Sequence, residues 1–237
     1  MANRAGKGAR VPAVLDRLES HYGLETPPWP TDPYEFLLWW HSGYPASDAA
    51  CARGFRSLGE QVGLEPGKIL AAPMKRLAIV LKPGGMVPEL RAVRLKKVAA
   101  RVQDEFAGDL RRALVGPLAQ VRKLLKGFPG IADPGADRIL LFGGVAPVPA
   151  VPSNVPYVLA RIRHGREPAS YALTYKEARQ AIADEVAETF DARTRAYLLL
   201  KRHGQEICKR TKPLCERCPV NAMCLYGAGR RRGKPPV

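Results

Sequence analysis

Acidic residues are scarce in this chain. Asp and Glu number 22 against 38 Lys and Arg, a formal net charge of +16 over 237 residues. That imbalance points to a polyanionic partner or to a plain solubility charge, and composition leaves both open. Long apolar runs are missing as well. The longest, such as residues 139–142 and 198–200, fall far short of the roughly 20 residues that span a bilayer, so no membrane partner is expected. The opening MANRAGKGAR lacks the apolar core of a secretory signal. A cytoplasmic protein of a reducing compartment is expected, nucleoid-associated if bacterial. No segment alternates polar and apolar residues with period two, which argues against strands, and no internal repeat is present.

Cysteine is rare and clustered: five in all, four of them within residues 208–224. A disulfide framework spreads its cysteines along a secreted chain, so clustering points to metal ligation. The spacing is Cys208-x6-Cys215-x2-Cys218-x5-Cys224. Four thiolates suit either a 4Fe-4S cluster or tetrahedral zinc. Zinc ribbons favour two Cys-x2-Cys knuckles, and only one is present here, so a single loop wound round an iron–sulfur cluster is the better fit. Four cysteines packed as small hydrophobes would need surrounding apolar periodicity. Pro213, Pro219, Lys209, Arg210, Lys212 and Arg217 supply none. Cys51 stands apart on an apolar helix face and reads as core.

Apolar spacing of three and four predicts helices over 11–22, 34–40, 47–59, 90–105, 118–126, 138–142, 158–162, 175–190 and 194–205, with short helices between 59 and 90. Asp32 and Ser47 are the expected caps. Residues 26–33 and 143–156 are too rich in proline for regular helix. The expected organisation is all-α: a basic disordered lead-in (1–10), a discontinuous cluster domain (11–32 with 150–226), a helical domain (33–149) and a basic disordered tail (227–237). Nothing calls for an oligomer, and a monomer is expected.

The turn in LLKGFPGIADPGADRILLF (124–142) can aim successive backbone N–H groups at one anion, with the following helix N-terminus adding a favourable dipole. A plain interhelical turn is the alternative. This turn, the cysteine loop with the preceding YLLLKRHGQEIC, the segment VPSNVPYVLARIRHG (151–165) and YEFLLWWHSGYPASD (34–48) together resemble the endonuclease III-like helix–hairpin–helix DNA glycosylases, over about residues 34–224. The resemblance implies two helical domains, a barrel-like bundle carrying the hairpin and a discontinuous iron–sulfur domain, with a 4Fe-4S cluster on the four cysteines. It also implies binding of double-stranded DNA through Gly127, Phe128, Pro129, Gly130, Ile131 and Ala132. The implied chemistry is excision of a base flipped into a pocket between the domains.

Three positions depart from that pattern. Pro134 stands where bifunctional members carry the lysine that forms a Schiff base, which implies a monofunctional N-glycosylase. Pro152 stands at the catalytic aspartate, with Ser153 and Asn154 beside it. Pro45 stands where many members keep a gap-filling glutamine, leaving Tyr44 as the candidate wedge. Asp133 and Asp137 are the nearby acids and the remaining candidates for catalysis. Their structural readings are an N-cap followed by a first-turn proline for Asp133, and a first-turn carboxylate for Asp137. A DNA-binding protein that recognises lesions or DNA structure without excision is the alternative function.

Overall fold

The computed structural model describes residues 8–231, and among these every regular element is helical: thirteen α-helices and three short 3-10 turns. The all-α expectation holds. The expected lead-in at 1–7 and the last six residues of the expected tail lie outside the described residues.

The chain forms two compact units, Pro27–Ala146 and a discontinuous one made of Met1–Thr26 with Pro147–Val237. In chain order, α1 (Val11–Tyr22) belongs to the discontinuous unit. The continuous unit is built from α2 (Pro33–His41), α3 (Asp48–Gln61), α4 (Pro66–Ala71), α5 (Met74–Leu81), α6 (Pro88–Phe106), α7 (Leu110–Ala113), α8 (Leu118–Lys126) and α9 (Asp133–Phe142). The discontinuous unit is completed by α10 (Tyr157–His164), α11 (Tyr171–Glu185), α12 (Phe190–Glu206) and α13 (Leu225–Arg231).

Local chemistry sets the helix starts. The Asp32 carboxylate accepts the Tyr34 and Glu35 amides at 2.9 and 3.0 Å, with Pro33 at the first helical position, and Ser47 Oγ accepts the Ala50 amide. Both caps match expectation. Further on, the expected helix over 175–190 is corrected. Ser170 Oγ caps α11 through the Leu173 amide, and Thr189 Oγ caps α12 through Ala192. Helix α11 thus begins earlier, at Tyr171, and ends at Glu185, and the Thr189 hydroxyl starts a new helix at Phe190. The tail expected to be disordered from 227 continues instead as α13 to Arg231.

The discontinuous unit packs Val14, Leu15 and Leu18 of α1 against Val158, Ile182, Leu199, Leu200 and Val220. Burying each such aliphatic side chain contributes roughly 1.5–3 kcal/mol before the entropy of ordering it. Its core also touches Cys208 and Cys218 and includes Cys224, so the cysteine loop is seated on packed helices. In the continuous unit the apolar face of α6 buries Leu95, Val98, Ala99 and Val102, as its periodicity requires. Arg91, expected on the polar side of α6, is buried instead. Its guanidinium donates to the carbonyls of Ser42 and Gly85 and so ties together the two loops that enter α3 and α6. Cys51 is buried in core, as expected.

Candidate DNA interface and cysteine centre

The cysteine loop is built from capped turns. At the end of α12 the His203 carbonyl accepts the amides of both Ile207 and Cys208. Leu214 then donates to the Ile207 carbonyl and closes the six-residue gap. Two 3-10 turns follow, Cys215–Arg217 and Asn221–Met223, and each is capped at its C-terminal side by a cysteine, Cys218 and Cys224. All four cysteines line one cavity together with Arg161, His203 and Tyr226.

The cavity wall is largely apolar, with Ile162, Ile207, Pro213 and Val220, but a nitrogen approaches three of its four sulfurs. Arg161 Nη1 lies 3.7 Å from Cys208 Sγ, His203 Nε2 lies 3.7 Å from Cys218 Sγ, and the Gly227 amide donates to Cys224 Sγ at 3.4 Å. Burial pushes the Cys208 and Cys218 thiols up to about 11, so thiolates there need a cationic centre to stabilise them. Among the described residues, no group of three His, Cys, Asp or Glu is arranged to hold a single metal ion. Four sulfurs around a shared void, three of them approached by a nitrogen, fit a polynuclear iron–sulfur group in donor type and number. Lys209, Arg210, Lys212 and Arg217 are exposed on the rim, with Arg210 3.6 Å from Glu167.

In the hairpin between α8 and α9, Gly130 has φ +66°, the left-handed region that favours glycine. Gly127 does not share this conformation; its φ is −75°. It is constrained by space instead, because a Cβ there would meet the Arg101 guanidinium. The amides of Gly127, Phe128 and Ile131 already donate to the carbonyls of Leu124, Leu125 and Phe128. Pro129 has no N–H. Among the described residues, the Gly130 and Ala132 amides have no such backbone acceptor, and both residues are exposed. Phe128 and Ile131 are buried, with the Arg101 guanidinium 4.4 Å over the Phe128 ring. The hairpin therefore offers backbone, not these side chains, to an anion.

His41 of α2 braces the hairpin from beneath. It is buried beside Gly130, and its ring is hydrogen-bonded to the Pro129 backbone. Burial, with Arg94 nearby, lowers its pKa to about 4, so the ring is neutral at pH 7.

Both acids near the hairpin have structural partners. Asp133 is not the N-cap. Ala132 holds that position in extended conformation, and Asp133 is the first helical residue, ion-paired with Lys126 at 2.7 Å. Asp137 is not in the first turn. It is the fifth residue of α9, fully buried and ion-paired with Arg122 of α8. Pro134 lies in the first turn of α9, and Pro152 is buried in the loop before α10, its carbonyl accepting the Val155 amide. Tyr44 is 38 % exposed and stacked on Trp40 at 4.0 Å, with Pro45 joined to it by a cis peptide bond.

Sequence reasoning missed two features of the same unit. Met86 is 87 % exposed, and Val87 after it has φ +50°. A β-branched residue held in that region is strained by roughly 1–3 kcal/mol. This apolar tip stands beside the Tyr44–Pro45 loop, with Gly85 packed near Ala46 and Gly84 against the Ser42 carbonyl. The available signal was an exposed Met-Val pair between Gly84-Gly85 and Pro88. The second is Arg138, buried with its guanidinium 3.8 Å over the Trp29 ring and 3.7 Å from Asp48.

No family model matches the chain. It is 25 % identical to a thymine-DNA glycosylase of Aeropyrum pernix over 167 residues, 68 % of each chain. It is likewise 25 % identical to endonuclease III of Sulfolobus acidocaldarius over 185 residues, 76 % of each chain. Its fold matches that of an endonuclease III trapped in a covalent DNA intermediate, with TM-score 0.75 and 20 % identity over 94 % of this chain and 97 % of that one. The resemblance read from the sequence thus extends to nearly the whole fold: the chain is similar in sequence to a thymine-DNA glycosylase and to an endonuclease III, and it has the fold of endonuclease III.

Proposed function

We propose that this protein is a base-excision DNA N-glycosylase that binds double-stranded DNA and carries a 4Fe-4S cluster on Cys208, Cys215, Cys218 and Cys224. The observation that carries the DNA reading is the hairpin. The Gly130 and Ala132 amides sit at the N-terminus of a ten-residue helix, on an exposed turn of a chain with net charge +16. A phosphate oxygen suits that position, because the amides and the helix dipole both favour negative charge. Met86 and Tyr44 supply apolar and aromatic surface on neighbouring loops, the kind of side chain that enters an opened base step.

Excision by this chain is proposed to proceed without a Schiff base, since Pro134 offers no amine. The cluster, when bound, supplies four iron–thiolate bonds that cross-link the loop onto its helices. The reading is tested with duplexes bearing thymine opposite guanine, oxidised pyrimidines and alkylated purines. Breaks that require alkali and no product trapped by borohydride are expected. Borohydride trapping would overturn the monofunctional assignment.

One observation favours a second reading. Pro152 is buried, and residues 150–156 contain no acid to support a developing positive charge on the sugar. Tight duplex binding with no breaks on any lesion would establish recognition without excision.

A further inference from the structure

The described residues hold one chain of polar contacts that the proposed DNA chemistry does not use. It runs from the end of α1 through α12 to the cysteine loop. The Tyr22 hydroxyl lies 3.1 Å from His203 Nδ1, and the opposite ring nitrogen, Nε2, lies 3.7 Å from Cys218 Sγ. His203 is completely buried, so it has no water to satisfy it.

The two contacts together define the tautomer. A bare Nε2 facing a thiolate would set lone pair against lone pair. With the proton on Nε2, both contacts become attractive: Nε2–H points at sulfur, and the Tyr22 O–H donates to the lone pair of Nδ1. The assignment rests on the hydrogen-bond network, since the other neutral tautomer leaves a bare Nε2 lone pair against the sulfur. Tyr22 is itself held in place. The Arg202 guanidinium lies 4.7 Å over its ring and donates to its carbonyl, while also pairing with Glu25.

We propose that Tyr22 and His203 are positioning residues that hold a permanent N–H donor on the Cys218 sulfur and so raise the reduction potential of the iron–sulfur group. This rests on the cluster reading above. An N–H aimed at a ligating sulfur stabilises the more electron-rich state, and hydrogen bonds to sulfur are among the determinants of potential in such sites. The Cys208 and Cys224 sulfurs have donors from the loop's immediate surroundings, Arg161 and the Gly227 amide. The donor to Cys218 differs because its orientation is set by α1, about 180 residues away in sequence.

The test uses the full chain purified anaerobically. Iron content and visible absorption are measured first, then the midpoint potential of whichever couple the parent shows, and the iron–thiolate stretching bands in light and deuterated water. His203→Leu is expected to lower the potential and abolish the deuterium shift of the Cys218 band. His203→Gln, which keeps an N–H near the Nε2 position, should restore part of both. Tyr22→Phe should lower the potential by less than His203→Leu. Should the leucine variant not fold, the tyrosine and glutamine variants carry the comparison. Iron-loaded Tyr22→Phe and His203 variants with parental potentials and unchanged bands would overturn this proposal alone. A parent protein without iron would overturn the cluster reading and this proposal with it.

Discussion

The Asp137 carboxylate is fully buried in α9 and ion-paired with Arg122 of α8, whose side chain is only 20 % exposed. This pair fastens together the two helices that frame the hairpin. A carboxylate so placed is shielded from solvent and held by a cation of the neighbouring helix. Arg122→Ala removes an ion-pair partner from a fully buried carboxylate and should destabilise the fold, at a cost of up to about 3–5 kcal/mol. Urea unfolding should show a loss of that size, and a loss under about 1 kcal/mol would refute the structural role. Asp137→Asn should retain excision and DNA binding below its unfolding temperature.

Asp133 poses the opposite case. Its ion pair with Lys126 is about half exposed on both sides, so it contributes little to stability. Its charge does sit where a phosphate is proposed to bind. Asp133→Asn removes that competition and frees Lys126, and duplex affinity should rise about two- to fivefold, the equivalent of roughly 0.3–1 kcal/mol at a helix N-terminus. Fluorescence anisotropy at 0.1 M salt measures it. Weaker binding by the variant would count against the hairpin as the phosphate site.

Binding should also fall steeply with salt. Counterions are released when Lys and Arg meet phosphates, so log K declines linearly with log salt. A flat dependence between 50 and 200 mM, the range over which phosphate contacts typically cost orders of magnitude, would remove the electrostatic basis of the DNA reading.

The Met86–Val87 tip separates stability from function. Val87→Gly relieves a left-handed conformation and should leave stability unchanged or raise it by up to about 1 kcal/mol, the strain relief being partly offset by chain entropy. Met86→Ala, at an exposed position, should change stability by less than about 0.5 kcal/mol. The methionine variant should nonetheless bind lesion-bearing duplex more weakly. Parental binding by both variants would exclude the tip from the interface.

His41 predicts the acid limb of stability. Its folded pKa is about 4, against an ordinary value of 6.5. Between these values the unfolded chain binds the proton more readily, so stability is complete above pH 6.5 and declines as pH falls towards 4. The contribution is on the order of 3 kcal/mol. His41→Phe should flatten that part of the curve in urea titrations between pH 7 and 4, whereas a variant with the parental slope would show that another group is responsible.

Much of this protein was legible one segment at a time. Helix periodicity, the Asp32 and Ser47 caps, the glycine of the hairpin and the cysteine spacing all act within a few residues of chain. Local physics therefore determines them before any packing occurs.

Tertiary structure decided what depends on residues distant in the chain. Arg91 was expected on the polar side of its helix, and the burial of Arg138 had no sequence signal, because a guanidinium held by a carbonyl 49 residues away, or by tryptophan and phenylalanine rings, leaves no local pattern. Asp137 looked like a first-turn carboxylate until Arg122 was found against it. His203 was one basic residue among many until α1 placed Tyr22 on one side of its ring and the folded loop placed Cys218 on the other. Short-range preferences determined which elements form, and only their packing determined which polar groups lose water and must find partners.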